Sequence, residues 1–218
     1  HIIRGEASTL YMESTVAASS IVTIWPNAKF LIMVRNPIEQ VQAIHNQELS
    51  NLNEDIKDFW QAWNLQELRR QGYRIPATCT DPYLLLYGER GQLGSHLQRL
   101  RRYIDDAHLK VVFMDDLQSD PRAVYKDVLH FLGVFDDGRK DFYALNKRHL
   151  WKFYSLSRFD YLIGKTKRAL GLKKSFGLLN PLRRWNQRPV KKEKLSPDNV
   201  RQINASAGES RTPHRTRS

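Results

Sequence analysis

The chain has 218 residues, enough for a domain with a sizeable hydrophobic core. Hydrophobic residues make up 41% of it and aromatic residues 11%, which excludes a disordered or collagen-like chain. The net charge of +12 is concentrated in residues 139–194, which hold 17 lysines and arginines against 3 acidic residues. Such a stretch indicates either an anionic partner (phosphate, sulfate, nucleic acid or a membrane surface) or a solvated basic face.

Membrane-spanning, disulfide-stapled and metal-binding classes find no support in the sequence. Its longest apolar runs have five residues, far fewer than the roughly 20 needed to cross a bilayer. The single Cys79 has no partner for an intrachain disulfide, and the histidines lack metal-ligand spacing. The sequence begins with His1 rather than Met and shows no signal-peptide pattern, so we expect a fragment of a longer, cytoplasmic protein.

The first predicted strand and helix meet at an arginine. Residues 28–34 form a short, mostly apolar run bounded by turn residues, which predicts a strand buried on both faces of a parallel sheet. Arg35 stands where this strand ends. Pro37 then suits the first turn of a helix that runs toward Leu49.

The middle of the chain continues the alternation of helices and strands. Apolar spacing predicts helices over 54–71 and 91–104 and a second strand over 109–114. A further helix is predicted to begin after Asp120, with a proline in its first position, and to end at Gly133. This order of elements predicts an α/β domain with a largely parallel sheet.

The C-terminal third has a looser pattern. Beyond Asn146 we expect basic helical pieces, with residues 147 to about 170 packed as helix over the ligand-binding edge of the sheet. The last 14 residues, 205–218, have no core-forming periodicity and are predicted to be a disordered basic tail.

Arg35 is the most informative single residue. An arginine at the carboxyl end of a parallel strand, just before a helix, faces the crevice in which open α/β sheets bind ligands. Its planar guanidinium can grip a phosphate in a bidentate manner, and the helix N-terminus favours an anion there. The alternative is an arginine paired with an acidic residue at the sheet edge, and the sequence leaves both readings open.

Two segments resemble a known family. Residues 26–43 are similar to the 3′-phosphate-binding segment of the sulfotransferases that use 3′-phosphoadenosine 5′-phosphosulfate, and residues 112–133 resemble the later strand, loop and helix of that family. The resemblance extends over about residues 5–204. It implies a sulfotransferase domain over 1–204, with the three-layer, P-loop-NTPase-like fold of that family and a largely parallel sheet. The family's N-terminal phosphosulfate loop is expected upstream of this chain.

The resemblance also assigns site residues. It implies that Arg35 contacts the 3′-phosphate of the donor and that Lys147 and Arg148 belong to a basic loop that closes over the same phosphate. Ala43 occupies the place of a serine that is the family's second phosphate contact, so one hydrogen bond is missing. Glu6 resembles a residue on the substrate side, although the lysine that often follows it in the family is replaced by alanine. The catalytic base lies upstream in the family, and no catalytic residue is assigned here.

The function implied is transfer of a sulfuryl group from 3′-phosphoadenosine 5′-phosphosulfate to a hydroxyl or amine acceptor, of which carbohydrate is one candidate. The donor brings its own activated sulfate, so no metal is expected. The alternative is a degenerate module that binds 3′,5′-bisphosphate nucleotides without catalysis. A nucleic-acid partner is the least favoured, because the basic third lacks interleaved aromatic residues on a sheet and any known docking motif.

Overall fold

A computed structural model describes residues 4–143, 149–157, 185–189 and 195–208. The elements in chain order are α1 (Ala17–Ile24), β1 (Phe30–Val34), α2 (Pro37–Ser50), α3 (Phe59–Asn64), α4 (Gln66–Arg70), a 3-10 helix (Pro82–Leu85), α5 (Tyr87–Arg90), α6 (Leu93–Leu100), β2 (Leu109–Phe113), α7 (Met114–Ser119), α8 (Pro121–Leu132), β3 (His149–Trp151), β4 (Gln187–Pro189) and α9 (Pro197–Gly208). A further helical turn lies at residues 154–157. The described residues therefore form an α/β protein, as predicted.

The two predicted strands pair in parallel. Phe30 lies opposite Leu109 and Val34 opposite Phe113, so both carboxyl ends reach the same edge of the sheet. This arrangement confirms the strands and their direction. Among the described residues the parallel sheet has only these two strands.

The prediction that β1 is buried on both faces is wrong. Phe30 and Ile32 face the core, but Leu31 and Met33 are 42% and 51% exposed on the other face. On that second face, helix α8 is tied to β2 by an ion pair between Lys110 and Asp127 at 2.6 Å. The described residues thus cover β2 better than β1, a difference that an apolar run in the sequence does not reveal.

The described residues divide into two compact units. The first contains 4–37, 90–143 and 204–208, and the second contains 38–89, 149–157, 185–189 and 195–203. Each has its own cluster of buried apolar side chains. The buried members in the first unit are Ala18, Leu97, Leu100, Ile104 and Leu109. Those in the second unit are Val41, Ile44, Phe59, Ala62, Trp63, Leu85, Tyr87 and Ile203.

The predicted helix over 54–71 is two shorter helices, α3 and α4. The side chain of Asp58 accepts a hydrogen bond from the backbone N–H of Gln61 at 2.7 Å, so helix begins only after Asp58. A break at Leu65 separates α3 from α4. Residues 54–57 are instead irregular; Glu54 is buried, and its carboxylate accepts bonds from the backbone N–H groups of Asp55 and Ile56.

Other helices agree better with the sequence. Helix α2 has the predicted start and ends at Ser50, and α6 is a shorter version of the helix predicted over 91–104. In α8 the Asp120 side chain accepts from the N–H of Ala123 at 2.9 Å, and Gly133 ends the helix with a positive φ of 74°. Helices α1 and α7 were not predicted.

The C-terminal third differs from its prediction where it is described. Residues 149–151 form a strand that pairs antiparallel with β4, whereas the sequence predicted helix over 147–170. Helix is present at 154–157. Helix α9 runs to Gly208, four residues into the predicted tail, and the alanines at 205 and 207 favour helix. Residues 209–218 lie outside the described residues.

Candidate functional site

Arg35 stands at the carboxyl edge of the parallel strand pair. It follows Val34, the last residue of β1, and only Asn36 separates it from α2. Its side chain is half-buried, and no hydrogen bond or ion pair joins it to any residue that the structure describes. The reading of Arg35 as one half of an ion pair at the sheet edge therefore finds no partner in the described ranges. The guanidinium is open to an anionic ligand.

The neighbouring strand ends at the same edge but provides carboxylates. Phe113, which pairs with Val34, is followed directly by α7, whose first turn contains Asp115 and Asp116. Neither lies within ion-pair distance of Arg35 in the described chain. Within the described residues, Arg35 at this edge therefore has no ion-pair partner.

Ala43 is buried on α2, with 6% of its surface exposed. Its methyl group offers no hydrogen bond, so the serine contact of the family is not made by this side chain. The consequence for phosphate binding stays a prediction.

Glu6 is exposed and has one clear partner. The hydroxyl of Tyr11 donates a hydrogen bond to Glu6 Oε1 at 2.5 Å. This bond, with partial loss of hydration and the charge of the carboxylate, raises the pKa of the Tyr11 phenol. Sequence reasoning singled out Glu6 but missed Tyr11, because a spacing of five residues in an irregular turn matches no helical or strand pattern.

Lys147 and Arg148 lie outside the described residues, and the segment that follows them belongs to the second unit. There the buried Asn186 holds the chain at Phe153: its side chain accepts from the backbone N–H at 2.8 Å and donates to the carbonyl at 3.0 Å. The same amide donates to Ser157 Oγ at 2.8 Å, and the Tyr154 hydroxyl donates to the carbonyl of Leu52 at 3.1 Å. These hydrogen bonds therefore fix residues 153–157 within the second unit.

A buried charged network in the second unit resembles a catalytic cluster but is fully paired. Glu54 accepts two bonds from Arg69, both at 2.8 Å, and one from the Tyr87 hydroxyl at 2.5 Å. His45 approaches the carbonyl of Ile56 at 2.8 Å through Nε2, which must donate because a carbonyl only accepts. Glu54, Arg69 and Tyr87 have at most 1% of their surface exposed. In the described chain these side chains are closed to solvent, so we assign them to the fold.

The same network shifts the pKa values of its members. Burial by itself would raise the pKa of Glu54, but the hydrogen bonds from Arg69 and Tyr87 more than offset it and hold that pKa below its usual value. Burial raises the pKa of Tyr87, and the Glu54 charge adds to this effect. Burial lowers the pKa of His45, so its imidazole is neutral near pH 7.

Two further classes of site find no support in the described ranges. No group of three or more His, Cys, Asp or Glu side chains there could hold a metal ion. None of the helices described is long and apolar enough to cross a membrane.

The fold resembles that of a solved bacterial enzyme. A sulfotransferase from Alicyclobacillus acidocaldarius superposes with a TM-score of 0.53 at 22% sequence identity, over 79% of this chain and 66% of the other. This chain thus spans slightly less than two thirds of the length of that protein. The sulfotransferase domain from the curacin biosynthetic pathway gives a TM-score of 0.38 at 14% identity, over 62% of this chain and 42% of that one, which is too low to define a shared fold. No protein-family model matches the sequence, and no curated protein is significantly similar to it.

Proposed function

We propose that this chain, whose fold is that of a bacterial sulfotransferase, transfers a sulfuryl group from 3′-phosphoadenosine 5′-phosphosulfate to a hydroxyl or amine acceptor, of which carbohydrate is one candidate. The fold likeness supports the enzyme class. The donor, the acceptor class and the site residues rest on the sequence resemblance together with the geometry at Arg35.

The observation that carries the proposal is the unpaired Arg35. Its half-buried guanidinium has no anionic partner in the described chain, so its donors are available to an anionic ligand. It stands at the carboxyl edge of a parallel strand pair, where α/β folds bind ligands. A terminal phosphate matches the guanidinium in charge and in bidentate geometry.

The reaction needs few groups from the protein. The acceptor oxygen or nitrogen attacks sulfur, a new bond to sulfur forms, and the bond between sulfur and the bridging phosphate oxygen breaks. The electron pair leaves with adenosine 3′,5′-bisphosphate, and a base takes the acceptor proton. Arg35, with Lys147 and Arg148, would hold the 3′-phosphate and so orient the donor, and Glu6 would contact the acceptor. The base and the groups that stabilise the leaving phosphate are not assigned to residues of this chain.

Calorimetric titration tests the role of Arg35. We expect wild-type protein to bind adenosine 3′,5′-bisphosphate and Arg35→Ala to bind it at least about tenfold more weakly, the loss of one charge-assisted bidentate contact. Adenosine 5′-phosphate, which lacks the 3′-phosphate, should bind both proteins equally. Arg101→Ala is the matched control, because Arg101 is a half-exposed arginine of the same unit with its own partner, Asp106, at 3.5 Å.

Transfer of labelled sulfate from the donor to hydroxyl and amine acceptors then tests catalysis. A wild-type chain that does not bind the bisphosphate, or an Arg35→Ala variant with unchanged affinity, would overturn the site. Binding without transfer to any acceptor would overturn the enzymatic function of this chain.

A further inference from the structure

A turn near the N-terminus is held to the core of the first unit by an arginine of helix α6. Nη2 of Arg99 donates to two successive backbone carbonyls, that of Met12 at 3.1 Å and that of Glu13 at 2.7 Å. The turn itself is closed by the N–H groups of Glu13 and Ser14, which both donate to the carbonyl of Leu10. One guanidinium nitrogen therefore fixes the main chain where the turn ends.

Two more contacts reinforce this attachment. Nε of Arg90 donates to Glu13 Oε2 at 2.9 Å, in an ion pair whose side chains are 6% and 10% exposed. The Met12 side chain packs against the apolar cluster of the first unit. Three contacts thus anchor the turn: the packed Met12 side chain, the ion pair between Arg90 and Glu13, and the bonds from Arg99 to the carbonyls of Met12 and Glu13. We call the bonds from Arg99 the clamp, and of the three contacts only the clamp acts directly on the backbone.

The clamp comes with an unsatisfied hydrogen-bond donor. Nε of Arg99 is buried and has no acceptor among the residues described. Nη2 also lies 3.2 Å from Nδ1 of His96, but its two hydrogens are already donated to the carbonyls of Met12 and Glu13. A buried donor without an acceptor destabilises a fold, so the contribution of Arg99 to the turn rests on the bonds that Nη2 makes.

Tyr11 links the clamped turn to Glu6. The residue before Met12 is Tyr11, whose hydroxyl holds the Glu6 carboxylate at 2.5 Å. Both Glu6 and Tyr11 are exposed, so the core does not orient them. Their position depends on the anchored backbone of Met12 and Glu13.

We infer that Arg99 is a positioning residue that acts through Tyr11 to hold the Glu6 carboxylate toward the acceptor. The inference rests on the proposed function, in which Glu6 contacts the acceptor. Tyr11 is the link, because its hydroxyl is the donor that joins the clamped turn to the carboxylate. The role is distinct from binding the nucleotide donor, so the affinity for the donor should not depend on Arg99.

Hydrogen exchange tests the clamp without any need for turnover. In Arg99→Met we expect the amides of Glu13 and Ser14 to exchange at least about tenfold faster than in the wild type, because the turn opens locally. The amides of Trp25 and Ala28, bonded to the carbonyls of Ile21 and Trp25, should be unchanged. Arg99→Lys, which keeps a donor but not the fork, should fall between the two. Unchanged exchange at Glu13 and Ser14 would overturn the clamp.

Steady-state transfer to p-nitrophenol and to glucosamine tests the action through Glu6. Arg99→Met and Tyr11→Phe should each raise the KM for the acceptor about fivefold, with the KM for the sulfate donor unchanged within about twofold. In a Glu6→Gln background, Arg99→Met should add less than about twofold, because the group on which it acts is gone. Tyr11→Phe removes one exposed hydroxyl and leaves the core intact, so it tests the link even if Arg99→Met fails to fold.

The outcomes separate the two proposals. An equal effect of Arg99→Met with and without the Glu6 carboxylate, or an equal rise in both KM values, would overturn positioning through Glu6. Absence of transfer by the wild-type chain with both acceptors would count against the proposed function, while the exchange experiment would still decide the clamp.

Discussion

Two arginines of this chain occupy opposite electrostatic situations. Arg69 in the second unit is 1% exposed and makes two 2.8 Å bonds to the Glu54 carboxylate, with the carbonyls of Ala62 and Arg74 at 3.4 Å. Arg35 in the first unit is half-buried and has no partner among the described residues. A buried charge that is fully paired serves the fold, whereas a charge left unpaired at a strand end is available to a ligand.

The comparison explains why a cluster of ionisable groups is not by itself a functional site. The network of Glu54, Arg69, Tyr87 and His45 has shifted pKa values, a feature that often marks active sites. Its shifts arise from burial and internal pairing, and its members are closed to solvent. Accessibility to solvent, rather than a shifted pKa, therefore distinguishes the sheet edge at Arg35 from this network.

The same substitution at both arginines gives the largest expected contrast. Arg69→Met leaves the Glu54 carboxylate buried without its cation and should lower the free energy of unfolding by about 3–5 kcal/mol. Arg35→Met removes no hydrogen bond or ion pair within the described chain and should change it by less than about 0.5 kcal/mol. Urea unfolding followed by circular dichroism measures both values.

Saturating adenosine 3′,5′-bisphosphate sharpens this contrast. The nucleotide should stabilise the wild type and hardly stabilise Arg35→Met, because stabilisation by a ligand follows its affinity. A large loss of stability in Arg35→Met without nucleotide would mean that Arg35 has a structural partner and would remove the difference between the two arginines.

The sequence predicted the local parts of this picture. Arg35 was found because a strand, an arginine, a proline and a helix follow one another within ten residues, and helix α8 was found because Asp120 and Gly133 cap it. The ion pair between Glu54 and Arg69 was not predicted. The two residues were placed in one continuous helix, but the Asp58 cap and the break at Leu65 fold the chain so that they meet.

The failures share a physical cause. The exposure of Leu31 and Met33 depends on what covers β1, and strand β3 depends on a partner 36 to 40 residues further along the chain. Tyr11 and Arg99 depend on an irregular turn and on contacts 86 and 87 residues apart in sequence. Periodicity in the sequence indicates local conformation, whereas these features depend on contacts between residues that lie far apart in the sequence.

Acid pH should also destabilise the buried network of the second unit, through His45 and Glu54. The folded state lowers the pKa of His45 through burial, so below the ordinary histidine value of 6.5 the unfolded chain takes up a proton that the folded chain resists. The stability due to the neutral His45 is therefore complete above about pH 6.5 and falls as the pH is lowered. Glu54, whose folded pKa lies below 4.5, adds a loss of the same sign at lower pH.

His45→Gln should flatten the decline of the free energy of unfolding between pH 7.5 and 5, since the amide can still donate to the carbonyl of Ile56 but does not titrate. His130→Asn is the control, because His130 is exposed on α8. Chemical unfolding at a series of pH values measures the slope. An unchanged slope in His45→Gln, or an equal change in His130→Asn, would show that His45 is not the buried titrating group.

Substitution of Ala43 should have the smallest effect of these variants, and it tests nucleotide binding at the site of Arg35. A serine at this buried position can donate to the carbonyl of Glu39, one turn earlier on α2, so the fold should tolerate it with a change of less than about 1 kcal/mol. If position 43 faces the phosphate that Arg35 binds, the hydroxyl supplies the hydrogen bond that the alanine lacks. Ala43→Ser should then tighten binding of adenosine 3′,5′-bisphosphate several-fold, with no gain for adenosine 5′-phosphate. The gain should also be smaller in an Arg35→Ala background, because both groups act on one phosphate. An equal gain for both nucleotides would show that position 43 does not face the 3′-phosphate, and Arg35 would then stand as a single-residue contact.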